Sequence, residues 1–207
     1  MSIKAAYNDW SATYDSDRNL TRDLDHAVTR QTLAPLRCDS ILELGCGTGK
    51  NTALLAQIGE KVHALDFSEG MLRRAREKVA ADHVTFAVAD LTQRWPVSDR
   101  SVDLIAGNLV LEHIRDLSHV FSEASRSLAA GGRFFVCELH PFRQYQGAQA
   151  NFQRDQATTE IQAYTHHLSD FTKAADEHGL ALERLQEWWH DDDQAKPPRL
   201  VSFMFRK

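Results

Sequence analysis

Cysteine is scarce in this chain, and what there is does not pair. Cys38, Cys46 and Cys137 are the only three in 207 residues. They lie far apart, form no CxxC pair and are odd in number, which argues against a disulfide framework or a zinc site and for reduced, buried thiols in a cytoplasmic protein. Long apolar runs are missing as well. No stretch approaches the roughly eighteen apolar residues of a membrane span, and the opening MSIKAAYNDW lacks the apolar segment of a signal peptide. Positive charge is not in excess: 24 Lys and Arg face 29 Asp and Glu, for a net charge of −5. The electrostatic footprint of a nucleic-acid binder is therefore absent, and neither nucleic acid nor membrane is expected as a partner. Proline is sparse, at five residues, and no linker, repeat or low-complexity tract interrupts the chain. What remains is an ordinary globular composition, 43 % hydrophobic and 26 % charged, in a length that makes one domain over residues 1–207. Nothing in it signals an oligomeric state.

Glycine, by contrast, is concentrated. Three of the ten glycines fall within five positions of ILELGCGTGK (41–50). Around them, short apolar runs alternate with longer amphipathic segments. Strands are expected at 41–44, 62–65, 84–88, 102–106 and 133–138, several of them apolar at successive positions instead of alternating, as expected of parallel strands covered on both faces. Helices are expected at 52–58, at 68–81 behind the N-cap Ser68, and at 117–129 with Gly131-Gly132 as its C-cap. Strand alternating with helix indicates an α/β sheet with right-handed crossovers. Residues 1–36 read as two helices, about 4–14 and 24–36, and 37–139 as the ligand-binding core. Residues 140–167 form a polar, Gln-rich and aromatic insertion, long enough for a lid or binding loop. A helix near 169–178 and an antiparallel pair at 180–189 and 199–205 complete the chain.

At Gly45, Gly47 and Gly49 the chain turns from the first strand into a helix. One glycine makes such a turn; three ask for a ligand lying against bare main chain, beside the free N–H groups of a helix start. A nucleoside-type ligand also predicts an acidic residue about 20 positions on, at the end of the second strand, to hold ribose hydroxyls. Asp66, in HALDFSEGML, sits there. A nicotinamide fingerprint would read GxGxxG, whereas this turn reads GxGxG.

Over residues 41–140 the chain resembles the class I S-adenosylmethionine-dependent methyltransferases, of the ubiquinone- and biotin-pathway-like type that acts on small molecules. Five motifs stand in that family's order. ELGCGTG resembles the glycine-rich first motif, ALDFSEGML the ribose-contacting second, FAVADLTQ the third, VDLIAGNLVLEHI the fourth-strand motif and LAAGGRFFVCE the helix–Gly-Gly–strand motif. The resemblance implies a Rossmann-like sheet of seven strands in the order 3-2-1-4-5-7-6, strand seven antiparallel, with helices on both faces. It implies S-adenosylmethionine as cofactor and S-adenosylhomocysteine as product. Glu43 would fix the glycine loop and the methionine amino group, and Asp66 would accept from the ribose diol with Phe67 beside the adenine. Asp90 and Leu91 would meet the adenine edge, and Cys46, Met71 and Asn108 complete the cofactor set. The aromatic segment YNDWSATYDS resembles the family's N-terminal lid, with Tyr14 near the methionine carboxylate and Arg22 (or Arg18) to neutralise it.

His113, just beyond strand four in NLVLEHI, is the leading candidate for a general base, and His140, leaving strand five in ELHPF, is a second lining candidate. Phe142, Arg143, Tyr145 and Phe152 are candidate pocket walls. His166-His167 and the HDDD run at 190–193 find no partners at metal-ligand spacing; they are expected at the surface, and no metal site is expected. The expected function is methyl transfer to a small polar or carboxylated acceptor seated under the N-terminal helices and the 140–167 insertion. A tRNA- or protein-modifying methyltransferase, a non-catalytic binder of the same cofactor and a nicotinamide oxidoreductase are the competing expectations.

Overall fold

The apolar run at 41–44 is the middle of the sheet. In the computed structural model, which describes residues 3–16, 19–148, 151–154 and 157–207 (the side chains of 151–154 and 157–160 excepted), it belongs to β1 (Cys38–Leu44). β1 pairs in parallel with β2 (Gly59–Asp66) on one side and with β4 (Val102–Asn108) on the other. β3 (Val84–Val88) extends the sheet from β2, and β5 (Leu128–Leu139) extends it from β4. β9 (Leu200–Arg206) lies antiparallel between β5 and β8 (Ala181–Trp188). Counting only the strands of this sheet, the order is 3-2-1-4-5-7-6 with strand seven antiparallel, as expected. β6 (Asn151–Arg154) and β7 (Ala157–Glu160) form a separate two-stranded ribbon.

Successive residues of these strands face opposite sides, and each side has its own core. Leu42, Ile105 and Phe134 pack with Phe121 of α5 (Leu117–Ser127) and Phe171 of α7 (Leu168–Glu177). Ile41, Leu104 and Phe135 pack with Val28 and Leu33 of α2 (Leu20–Leu33) and with Leu55 of α3 (Thr52–Leu55). Two covered faces are why the central strands carry apolar residues at neighbouring positions, as at Ile41-Leu42 and Leu104-Ile105. Each fully buried side chain of this kind contributes about 1.5–3 kcal/mol relative to exposure.

Element boundaries depart from the sequence pattern where local chemistry overrides it. The expected helix 117–129 ends at Ser127 because Leu128 is already extended and pairs with Val102 as the first residue of β5. Gly131 and Gly132 are therefore not a helix cap. They lie inside β5, next to the register shift between Val102 and Leu104, with Gly131 at φ +79°. α2 starts at Leu20 rather than 24, because the Asn19 side chain accepts from the N–H groups of Thr21 (3.0 Å) and Arg22 (3.1 Å). α1 (Ile3–Trp10) gives way to turns over 11–16 instead of running to Tyr14. α4 (Glu69–Lys78) begins as expected at Ser68, whose Oγ accepts from Met71 N at 3.1 Å. The described part of the insertion holds α6 (Pro141–Tyr145) and the ribbon. Ile161 beyond the ribbon is buried against Ala6 and Trp10 of α1.

Candidate active site

The first strand hands over to the helix through Gly45, Gly47 and Gly49, all with positive φ. A Cβ on Gly45 would stand 2.5 Å from Val110 Cγ2, and one on Gly49 would meet Ala75 of α4 at 3.2 Å, whereas one on Gly47 would meet nothing within 4 Å. Packing thus accounts for two of the glycines, and the idea that a tight turn needs only one is corrected. Gly47 is the bare stretch. It faces two connected spaces: a main cavity of about 250 Å³ and an annex of about 60 Å³.

The main cavity lies beyond the carboxyl ends of β1, β2 and β4, where ligands bind in open α/β sheets. Of the residues singled out in the sequence, it is lined by Tyr14, Gly45, Gly47, Asp66, Phe67, Met71, Asp90, Leu91, Asn108 and His113. The annex adds Glu43, Cys46 and Arg22. Gly49 and His140 line neither. Gly49 is spent on packing. His140 caps α6, its Nδ1 accepting from Phe142 N at 3.1 Å, and its Nε2 faces Glu187 Oε1 at 3.0 Å across the sheet edge.

Asp66 is buried, and each of its oxygens already accepts a main-chain N–H: Oδ2 from Gly47 (2.9 Å), Oδ1 from Ser68 (2.8 Å). The carboxylate is thereby fixed in direction. Around the annex, acid gathers. Glu43 accepts from Thr52 Oγ1 at 2.5 Å, and burial pushes it up to about 8, with Asp66 and Asp25 adding to the rise. Burial also pushes Asp66 up to about 6 and raises Asp25. Asp25 accepts from Asn108 Nδ2 (2.6 Å) and Asn51 Nδ2 (2.9 Å), while Asn108 Oδ1 is buried without a hydrogen-bond partner among the described residues. Asp25 was not singled out in the sequence. Its signal was there: with Val28, Thr29 and Leu33 it occupies the buried stripe of α2.

α1 covers the main cavity through Ile3 and Tyr7. It is tied down by Asn8, whose Oδ1 accepts from Ser68 Oγ (2.7 Å) and Gly70 N (3.1 Å) at the start of α4. The Arg22 guanidinium stacks 4.1 Å from the Tyr14 ring centre and donates to the Tyr14 carbonyl. Burial pushes the Tyr14 phenol up to about 12. His113 sits between two partners, Tyr7 OH at 2.7 Å from Nε2 and the Gln162 carbonyl at 2.9 Å from Nδ1. A carbonyl can only accept, so Nδ1 carries the hydrogen of the neutral ring and Nε2 presents its lone pair to Tyr7. Burial raises the Tyr7 phenol well above its ordinary value, so that oxygen donates. This Tyr7–His113 pair spans 106 positions.

His166 and Asp193 correct the expectation that they lie on the surface. His166 Nε2 lies 2.8 Å from the carbonyl of Ile114 and is half-buried there. Asp193 is buried because Arg143 and Arg199 both reach it. Phe142 and Tyr145 are exposed; Arg18 and the side chain of Phe152 lie outside the described residues. Among the described residues no group of three His, Cys, Asp or Glu could hold a metal ion, and no helix is long and apolar enough to cross a membrane.

Residues 42–136 match the family described as a methyltransferase domain. The chain is 35 % identical over 142 residues to the demethylmenaquinone methyltransferase of Clavibacter sepedonicus, covering 66 % of this chain and 58 % of that one. It is 33 % identical over 132 residues to the malonyl-[acyl-carrier protein] O-methyltransferase of Yersinia pestis, covering 64 % and 48 %. These matches thus span about half the length of those curated relatives. An uncharacterized methyltransferase of Emericella nidulans is 30 % identical over 86 % of this chain and 75 % of its own. Among solved structures, an S-adenosylmethionine dependent methyltransferase from Mesorhizobium loti superposes with a TM-score of 0.75 at 21 % identity, over 91 % of this chain and 100 % of that one, a likeness of fold. The chain belongs to the class I S-adenosylmethionine-dependent methyltransferase family.

Proposed function

We propose that this protein transfers a methyl group from S-adenosylmethionine to a small polar or carboxylated acceptor. The observation that carries the proposal is the set of acids around the annex. Glu43 and Asp25 line a buried space with Asp66 close by; burial first, and the neighbouring acids second, raise the pKa at Glu43, an arrangement that a ligand bearing positive charge relieves. The sulfonium and ammonium groups of S-adenosylmethionine are such charges. Its other parts fit too: Gly47 leaves room for a ligand against the main chain, Asp66 presents a carboxylate held in direction to a ribose diol, and the buried Asn108 Oδ1 awaits a donor.

When bound, S-adenosylmethionine supplies an electrophilic methyl on a cationic sulfur. The chain's own residues bind, orient and manage the proton. Tyr14, Asn108 and the acids around the annex hold the methionine end, while Asp66, Phe67, Asp90 and Leu91 hold the adenosine end. Ile3 and Tyr7 of α1 exclude water. Juxtaposition alone is worth effective molarities of about 10⁵ M or more. An acceptor carboxylate needs no base. An acceptor hydroxyl loses its proton to His113 Nε2, directly or through the Tyr7 hydroxyl that faces it. The Yersinia pestis relative, by its name, methylates a malonyl group on oxygen, which favours a carboxylated acceptor here.

Titration calorimetry tests the cofactor: S-adenosylhomocysteine should bind in the micromolar range and NAD should not. Transfer of labelled methyl from S-adenosylmethionine to a panel of hydroxy and carboxylic acids tests the reaction. Binding without turnover on any acceptor would return the chain to a non-catalytic role, and NAD binding in place of S-adenosylhomocysteine would overturn the proposal.

A further inference from the structure

A second cavity, of about 380 Å³, shares Tyr7, Tyr14 and Leu109 with the main one. Its far wall carries Arg143 of α6 and Arg199 before β9, and Arg22 opens into it from the annex. Arg143 Nη2 and Arg199 Nη2 both donate to one oxygen, Oδ2 of Asp193, at 2.8 and 2.5 Å. All three side chains are withdrawn from solvent, 11 %, 17 % and 2 % exposed respectively. Asp193 stands behind the arginines and does not line the cavity.

The remaining donors are held in direction. Arg199 adds Nε to the same carboxylate oxygen (3.0 Å) and Nη1 to Thr21 Oγ1 (2.9 Å), and Arg143 Nε donates to the Pro197 carbonyl (3.1 Å). Arg143 Nη1 has no hydrogen-bond partner among the described residues. Guanidinium groups stay charged, so two fixed cations, Arg143 and Arg199, here share one carboxylate. The acid that does line the cavity, Glu112, lies beside His113 and accepts from Gln144 Nε2 at 3.3 Å; burial pushes its pKa up, away from the ionised form. Surplus positive charge withdrawn from water is costly unless an anion meets it.

We infer that this cavity holds the acceptor by an anionic group, a carboxylate or phosphate received by Arg143 and Arg199, with the reacting end of the molecule toward Tyr7 and His113. The inference rests on the methyltransferase reading and narrows its acceptor to an anion. The fork geometry of a guanidinium suits either anion bidentately, and Asp193 sets that fork in place beforehand.

The test uses the full chain saturated with S-adenosylhomocysteine and titrated with succinate or inorganic phosphate at low ionic strength. The stronger of the two probes identifies the anion. Arg143→Gln and Arg199→Gln should each weaken that probe at least tenfold, with Arg143→Lys weakening it less. S-Adenosylhomocysteine affinity, measured in the same proteins, should change less than twofold. Should a glutamine variant fail to fold, the arginine Nε–H resonances of the wild-type protein, assigned with Arg143→Lys and Arg199→Lys, provide a second readout, and the succinate or phosphate titration should move those two. Wild-type protein that binds S-adenosylhomocysteine but neither anion, equal anion affinity in the glutamine variants, or shifts confined to other arginines would each overturn the anion site while leaving the cofactor site standing. Failure to bind S-adenosylhomocysteine would overturn the reading beneath it instead.

Discussion

Tyr14 and Leu109 divide two spaces of opposite character. On one side the annex is ringed by Glu43, Asp25 and the nearby Asp66; on the other the larger cavity is walled by Arg143 and Arg199, with Arg22 touching both. The acids are poised near neutrality, Glu43 at about 8 and Asp66 at about 6, because burial holds protons on them. The guanidiniums never lose their charge. One side therefore adapts its charge to its ligand by shedding protons, and the other imposes a fixed charge. A cationic methyl donor and an anionic acceptor, each sorted to its own side, would meet at the tyrosines between.

The comparison breaks first at His113. Replacing it with alanine should lower turnover of a hydroxyl acceptor by about 100-fold or more, with S-adenosylhomocysteine affinity unchanged; equal turnover would reduce His113 to a strut for Tyr7. Next, Asp66→Ala should weaken S-adenosylhomocysteine at least tenfold, about 1.4 kcal/mol, and calorimetry would show it. The glycines give a smaller and sharper contrast. Gly45→Ala drives a methyl against Val110 at positive φ and should cost about 1–3 kcal/mol in thermal or urea unfolding. Gly47→Ala has open space and should cost about 1 kcal/mol, yet lose cofactor binding more than Gly45→Ala does relative to its stability.

The smallest effect is a dependence on pH. Glu43 and Asp66 have pKa values raised by burial to about 8 and about 6, so at pH 6 Glu43 is protonated and Asp66 about half so. A cation favours the ionised acids, and binding should release protons. Affinity for S-adenosylmethionine should climb from pH 6 to 8, with a shallower slope for S-adenosylhomocysteine, which lacks the sulfonium. Calorimetry in buffers of different ionisation enthalpy reads this directly. The same raised values act on stability with the opposite sense. Glu43 and Glu138, each pushed up to about 8 by burial, bind more protons folded than unfolded between about pH 4.5 and 8. Unliganded protein should lose stability as pH rises through that window, and Glu138→Gln should flatten the decline.

The strands and the cofactor-type motifs were legible in the sequence because their signals are local, whereas the order of the sheet came with the family resemblance that those motifs carry. Parallel strands covered on both faces are apolar at neighbouring positions, as at Ile41-Leu42 and Leu104-Ile105, and Asp66 follows Gly47 at the end of the very next strand. Boundaries were less legible: Leu128 is apolar enough to end a helix or begin a strand, and only its pairing with Val102 decides. The acceptor side was hidden. Arg143 meets Asp193 across 50 positions and Tyr7 meets His113 across 106, and no periodicity links such residues. Asp193 in particular sat within HDDD, a run that reads as solvated until two arginines claim it.

Asn8 has a kinetic consequence. Its side chain latches α1 onto Ser68 and Gly70 while Ile3 and Tyr7 roof the main cavity. Any molecule exchanging through that roof must first break two hydrogen bonds that have nothing to do with chemistry. Turnover would then be paced by how often the latch lifts, and loosening it would make the spent product leave faster even as everything held beneath it became leakier to water.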